Sequence, residues 1–216
     1  MPELCTIAVV VPAGPGDRAW EGLLPRLPGF GQIVVSGVAG EDLRSGPGFA
    51  VVSGPAGRAR QLNAGAAATV LPWLLFLHAD SRPDSRLLSA IQRAPDGDYL
   101  GYCGLRFYDG PPWMRLTELG TWLRSRLIGL PFGDQGMLMS RAVFDRLAGF
   151  DERVDIGEDH ALVWAARHAG IPLKPLAAVL PTSARRYIED GWWKVTRRHL
   201  RMTWTQASTW RRRTGE

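Results

Sequence analysis

The chain of 216 residues has only two cysteines, Cys5 and Cys103, and only two lysines, Lys174 and Lys194. Two cysteines cannot build a disulfide framework, and they fit a reducing, cytosolic setting. No apolar run approaches the roughly 18–20 residues of a membrane span. The opening stretch MPELCTIAVVV has no basic segment and halts at Pro12, so it reads as a strand and not as a signal peptide. Internal repeats, low-complexity tracts and clear linkers are also missing. Hydrophobic residues make up 45% and charged residues 22%, which excludes a disordered or fibrous chain. The length suits one domain able to bury its own core.

Basic residues are in excess, with a formal net charge of +5. The excess is local. From Arg185 to the end there are nine basic and three acidic residues, whereas the preceding 184 residues carry 17 basic and 18 acidic. A near-neutral body does not offer the broad basic surface that nucleic acid requires. The tail from 190 onward mixes Trp192, Trp193, Trp204 and Trp210 with Lys194, Arg197, Arg198, Arg201 and Arg211–Arg213. Such a helix packs on the body, or lies on an anionic membrane surface at the inner face of the membrane.

Apolar runs alternate with helix-forming segments. Strands are expected at Leu4–Val11, Gln32–Ser36, Phe49–Val52 and Pro72–Leu77, with helices near Trp20–Leu27, Gly57–Thr69 and Asp84–Arg93. The second half reads as strand Tyr99–Tyr108, helix Trp113–Ile128, strand Gly136–Met139 and a helix that Ser140 caps. Helix Glu158–His168, strand Leu173–Val179 and a basic helix from Asp190 follow. This order predicts an α/β fold with a mostly parallel sheet flanked by helices and a basic helical C-terminal tail.

In such sheets ligands bind beyond the carboxyl ends of the strands. Asp80 directly follows a strongly apolar strand, where a carboxylate can hold Mg²⁺ or Mn²⁺ bridging a diphosphate; Ser81-Arg82-Pro83 also permits a plain turn. His78 precedes it by two. Arg58 and Arg60 lie near a helix start after Gly54-Pro55-Ala56-Gly57, a place that favours anions. Their spacing of two sends them to different faces. Glu158 and Asp159 open a helix, where acids also complement the dipole. Asp134 and Gln135 sit between Gly133 and Gly136.

Five segments together carry a resemblance: GRARQLNAGAAA (57–68), LLFLHADS (74–81), FGDQG (132–136), AGF…GED (148–159) and SARRY (183–187). In this order and spacing the chain resembles glycosyltransferase family 2 proteins of GT-A fold. It looks most like a small bacterial subgroup associated with radical-SAM and selenium-related gene clusters. The resemblance spans about Cys5 to Arg186 and implies a GT-A-like domain over 1–188, with a tail over 189–216. It implies a metal-dependent, inverting transfer of sugar from a nucleotide-sugar, most simply a UDP-sugar, to an unknown acceptor. Asp159 would act as base with Glu158 in support. Asp80 and His78 would hold Mn²⁺ or Mg²⁺. Pro12, Ser36, Arg60, Gln61, Asn63, Ala79, Arg185 and Arg186 would join them on the donor side, with Asp134 and Gln135 facing the acceptor.

The sequence departs from the family in two loops. Pro12–Gly16 carries no acid before Asp17, and the strand-two end reads Val35-Ser36-Gly37-Val38 where the family usually places an aspartate. Glu41 or Asp42 would have to substitute. The departures also suit a catalytically degenerate GT-A-like protein that binds a nucleotide or a partner. A nucleotidyltransferase fits less well, because Pro12–Arg18 is glycine-rich but holds one arginine.

Overall fold

A computed structural model describes residues 2–199 and Arg201. Seven strands form one sheet in the order β3-β2-β1-β4-β6-β5-β7. They are β1 (Ile7–Pro12), β2 (Gln32–Val38), β3 (Ala50–Gly54), β4 (Trp73–Phe76), β5 (Leu100–Phe107), β6 (Met137–Ser140) and β7 (Leu173–Thr182). Pairings β1–β2, β2–β3, β1–β4 and β5–β7 are parallel, whereas β6 runs antiparallel to both β4 and β5. The helices are α1 (Ala19–Leu23), α2 (Arg58–Ala67), α3 (Ser85–Gln92), α4 (Met114–Leu123), α5 (Arg141–Arg146), α6 (Glu158–His168) and α7 (Arg185–Glu189).

Alternation along β1 sorts its side chains between two cores. Ile7, Val9 and Val11 pack toward Trp20 and Leu23 of α1 and Leu87 and Ile91 of α3. Ala8 and Val10 face Leu62 and Ala66 of α2, Val143 and Phe144 of α5, and Leu162 and Val163 of α6. Gly65, a weak helix former, is needed in α2: a Cβ there would collide with the Val10 side chain. Its absence lets α2 lie close on β1. Asp84 caps α3 by accepting from the Arg86 and Leu87 N–H groups, and Ser140 caps α5 through the Val143 N–H.

The sheet also determines where loops gather. Because β6 is reversed, Met137 at its start stands opposite Phe76 at the end of β4. The loop before β6 therefore emerges at the same edge as the loop after β4. The parallel β5–β7 pair delivers Phe107 and Thr182 to that edge as well. The expected helix over Trp113–Ile128 is α4 followed by a π-helical turn at Arg124–Ile128. Residues 192–199 are helical. Val195 is buried there, and the Trp192 indole N–H donates to Thr117 Oγ1 at 2.7 Å. Residues 192–199 thus pack against α4, whereas 200 and 202–216 of the tail expected over 189–216 lie outside the described residues.

Candidate active site

The acid pair opens α6 directly after Gly157, whose φ of 88° turns the chain sharply into the helix. Asp159 points inward. Its Oδ2 accepts the Gly133 N–H at 2.6 Å and its Oδ1 accepts the His160 N–H at 2.8 Å. Burial alone would raise the Asp159 pKa. The neighbouring His160, these two N–H groups and Arg58 outweigh it and hold the carboxyl below its ordinary range. Glu158 pairs instead with Arg58, Nε to Oε1 at 2.9 Å. Burial and then the Asp159 charge push Glu158 upward against that arginine. The two carboxylates are thus driven apart, with Asp159 kept as the anion.

Around them lies a cleft lined by Arg58, Leu62, His78, Gly133, Phe150 and Asp159 among others. Gly133 is its pivot. A Cβ on Gly133 would stand 3.0 Å from both Asp159 Oδ2 and His78 Nε2, so both groups press on one point of the backbone. His78 is enclosed, and burial, Arg58 and Arg186 hold its pKa well below the ordinary value. The same three causes disfavour the protonated ring.

Asp80 follows on the same loop and accepts the Thr182 hydroxyl at 3.2 Å. Burial raises its pKa, while Thr182 and Arg186 oppose the rise. Asp134 is pushed to about 6 by burial, with Arg124 opposing and the Asp159 and Asp80 charges adding to it. Three carboxylates thus share one field. Asp134 Oδ1 is buried and has no hydrogen-bond partner among the described residues. Hard carboxylate oxygens of this kind suit Mn²⁺ or Mg²⁺. Among the described residues no three His, Cys, Asp or Glu side chains form a ready-made cation cage.

Several residues expected on the donor side do other work. Arg60 turns away, donating to the Ala56 carbonyl at 3.1 Å and approaching Glu152 at 3.8 Å. Arg58, the neighbour two residues earlier, enters the cleft in its place. Ser36 is fully enclosed beneath α2, so its hydroxyl is not presented to a ligand. Pro12 sits opposite it in the sheet, and Ala79 is buried too. Gln61 ties the loop after β1 to the end of β2, donating to the carbonyls of Ala13 at 2.6 Å and Ser36 at 2.8 Å. Asn63 clamps the stretch before α6, bonding both the N–H and the carbonyl of Phe150 at 2.9 Å. Gln135 is a buried peg, donating to the Cys103 carbonyl at 2.7 Å and accepting the Ser125 hydroxyl at 2.9 Å. Arg185 reaches Asp17 at 3.6 Å, across the loop after β1. Glu41 closes the same region by accepting the Gly16 N–H at 3.1 Å.

The structure adds groups that sequence reasoning did not single out. Arg124 lies over the Phe132 ring, and burial lowers its pKa to about 10 against the pull of Asp134 and Asp159. Tyr187 Oη and His199 Nδ1 are 3.3 Å apart, and the His199 ring stands edge-on to Phe132. Tyr187 lies within the SARRY segment, so its motif was visible. His199 carried no local signal, because only the docking of the 192–199 helix brings it here.

No protein-family model and no curated protein matches the chain in sequence. Its fold is similar to solved structures. S. aureus TarS 1–349 superposes with a TM-score of 0.61 at 16% identity, covering 82% of this chain and 60% of TarS 1–349. The mannosyltransferase PcManGT from Pyrobaculum calidifontis, solved with GDP-Man and Mn²⁺, gives 0.58 at 17% identity, covering 82% of this chain and 56% of its own. Glucosyl-3-phosphoglycerate synthase from Mycobacterium tuberculosis, solved with Mn²⁺, UDP and glucosyl-3-phosphoglycerate, gives 0.55 at 21% identity, covering 86% and 74%. This chain thus spans a little over half the length of the first two. The fold is of GT-A type: a mixed seven-stranded Rossmann-like sheet flanked by helices.

Proposed function

We propose that the protein is a metal-dependent glycosyltransferase moving a sugar from a nucleotide-sugar to an acceptor hydroxyl with inversion. One observation carries the reading. Asp159, held by the Gly133 and His160 N–H groups and kept below its ordinary pKa, opens α6 against the loop that carries Asp134, whose own pKa the Asp159 and Asp80 charges raise. Both Asp159 oxygens keep a free lone pair after their N–H bonds, so the carboxylate can accept the proton of an attacking hydroxyl. Arg58 and Arg186 supply positive charge beside the leaving diphosphate. Asp80, with Asp134 beside it, would hold Mn²⁺ or Mg²⁺, which when bound offsets charge on that diphosphate. His78, whose protonated form burial disfavours, would donate or accept a hydrogen bond there or ligate the ion. The neighbours solved with Mn²⁺ and GDP-Man or UDP support this reading. So do the five family-like motifs, on which kinship with the small bacterial subgroup also rests.

A second reading follows from the loops after β1 and β2. No acid ends β2, and Glu41 is engaged with Gly16. This favours a GT-A-like protein that binds a nucleotide or a partner without turnover. Incubation with UDP- and GDP-sugars and Mn²⁺ separates the two. The transferase reading expects donor hydrolysis or transfer that Asp159→Asn lowers at least about a hundredfold, a general-base-sized effect. Donor binding without turnover, unaltered in Asp159→Asn, favours the second.

A further inference from the structure

Helix α4 and its π-turn are built inside out. The side turned to the body carries Met114, Thr121, Ser125 and Glu118, whose carboxylate accepts the Phe107 N–H at 2.7 Å. The side turned to solvent carries Trp113 (58% exposed), Leu116 (65%), Leu119 (53%) and Leu127 (73%). At helical spacing these make one continuous apolar stripe, flanked by half-exposed Trp122 and by exposed Arg115 and Arg126. Along the other margin the Trp192–Thr117 bond docks the next helix, presenting Trp193 (79% exposed) with exposed Arg197 and Arg198, while Lys194 pairs with Asp190 at 3.0 Å.

We infer that this face is an interfacial docking surface for an anionic membrane, with α4 lying in the plane of the headgroups. The charge pattern selects the occupant. Glu118 is the one acid between residues 113 and 128, and it is turned inward. The stripe is therefore bordered by cations without an exposed carboxylate of its own, and tryptophans sit at its edges. That combination matches an apolar acyl boundary beneath a layer of negative headgroups. A second copy on the same face would bring two arginine-bordered margins together, which like charges oppose. Among the described residues no helix is long and apolar enough to cross a membrane, so the contact lies on the surface. The sequence placed a membrane contact in the tail and only a helix over Trp113–Ile128; the structure turns the leucines of that helix outward.

Co-sedimentation of the full chain with phosphatidylcholine–phosphatidylglycerol vesicles, and with pure phosphatidylcholine vesicles, tests the proposal. The chain is expected to sediment with the mixed vesicles and much less with the neutral ones. The triple variant Leu116→Ser/Leu119→Ser/Leu127→Ser, checked for its melting temperature, should partition at least about tenfold more weakly, since each exposed leucine loses its burial in the acyl boundary. Arg115→Gln/Arg126→Gln, which removes no packing, should lose the preference for anionic lipid in part. Sedimentation velocity without lipid should show both variants and the parent as the same species. Failure of the parent to bind anionic vesicles, or unchanged binding by the leucine variant, overturns the inference. So does a dimer that the leucine variant dissolves.

Discussion

The Gly133 N–H donates to Asp159 Oδ2 at 2.6 Å, fixing the start of α6 to the loop that precedes β6. This bond joins two segments that are 26 residues apart and aims the acid at the cleft. A methyl group on Gly133 would press on Asp159 Oδ2 and His78 Nε2, each 3.0 Å away. Gly133→Ala is therefore expected to lower turnover about ten- to a hundredfold by misplacing the carboxylate. Its melting temperature should change little, because Gly133 does not require a left-handed backbone. A steady-state comparison of kcat with a thermal melt checks both halves.

The Arg58–Glu158 pair makes a different prediction. Glu158 is buried, so removing Arg58 leaves a carboxylate without its counter-charge. Arg58→Ala should cost about 3 kcal/mol of unfolding free energy, read from urea denaturation. Arg60→Ala, whose partner Glu152 is half exposed and 3.8 Å away, should fall within about 0.5 kcal/mol of the parent.

Packing of α2 on β1 depends on Gly65. Alanine there favours the helix by about 1 kcal/mol but drives a methyl into Val10. Overpacking should win, with a net loss of roughly 1–2 kcal/mol. A Gly65→Ala/Val10→Ala double variant should recover part of the Gly65→Ala loss relative to Val10→Ala alone, which a double-mutant cycle measures.

Docking of the 192–199 helix should depend on pH through His199. Burial, then Arg124, with Arg198 and Arg186 adding, lowers its pKa to about 4, while Asp159 opposes. Tyr187 also faces it, its own pKa raised by burial and then by Asp134. A histidine with a depressed folded pKa is fully stabilising only above its unfolded value near 6.5. Protonation of the undocked form then erodes docking as pH falls from about 6.5 toward 4. Hydrogen exchange of residues 192–199 is expected to accelerate over that window, and His199→Gln should flatten the dependence.

Much of the fold was legible because its strands are short, buried and punctuated. β1 ends at Pro12, where its apolar run halts, β2 runs two residues past the expected Ser36 to Val38, and the helix expected over Glu158–His168 is α6. The reversal of β6 was not legible, since an apolar run of four residues has no direction. The choice between Arg58 and Arg60 was equally hidden. They share a helix two residues apart, and only the packing of Ala59, Leu62 and Ala66 on the sheet decides which one reaches Glu158. Ser36 looked available as the last residue of its apolar run, yet α2 closes over it. Asp80, Asp134 and Asp159 were each visible as acids on loops or helix starts. Their shared field was not visible, because it depends on the loop after β4 and the loop before β6 meeting the start of α6.

The most direct test of the transferase reading is calorimetric titration of UDP- and GDP-sugars into the protein with and without Mn²⁺, repeated on Asp80→Ala. One nucleotide-sugar is expected to bind only with the metal present, and at least about tenfold more weakly in Asp80→Ala. No nucleotide-sugar bound under any condition, or binding of equal strength without Mn²⁺ and in the variant, would contradict it.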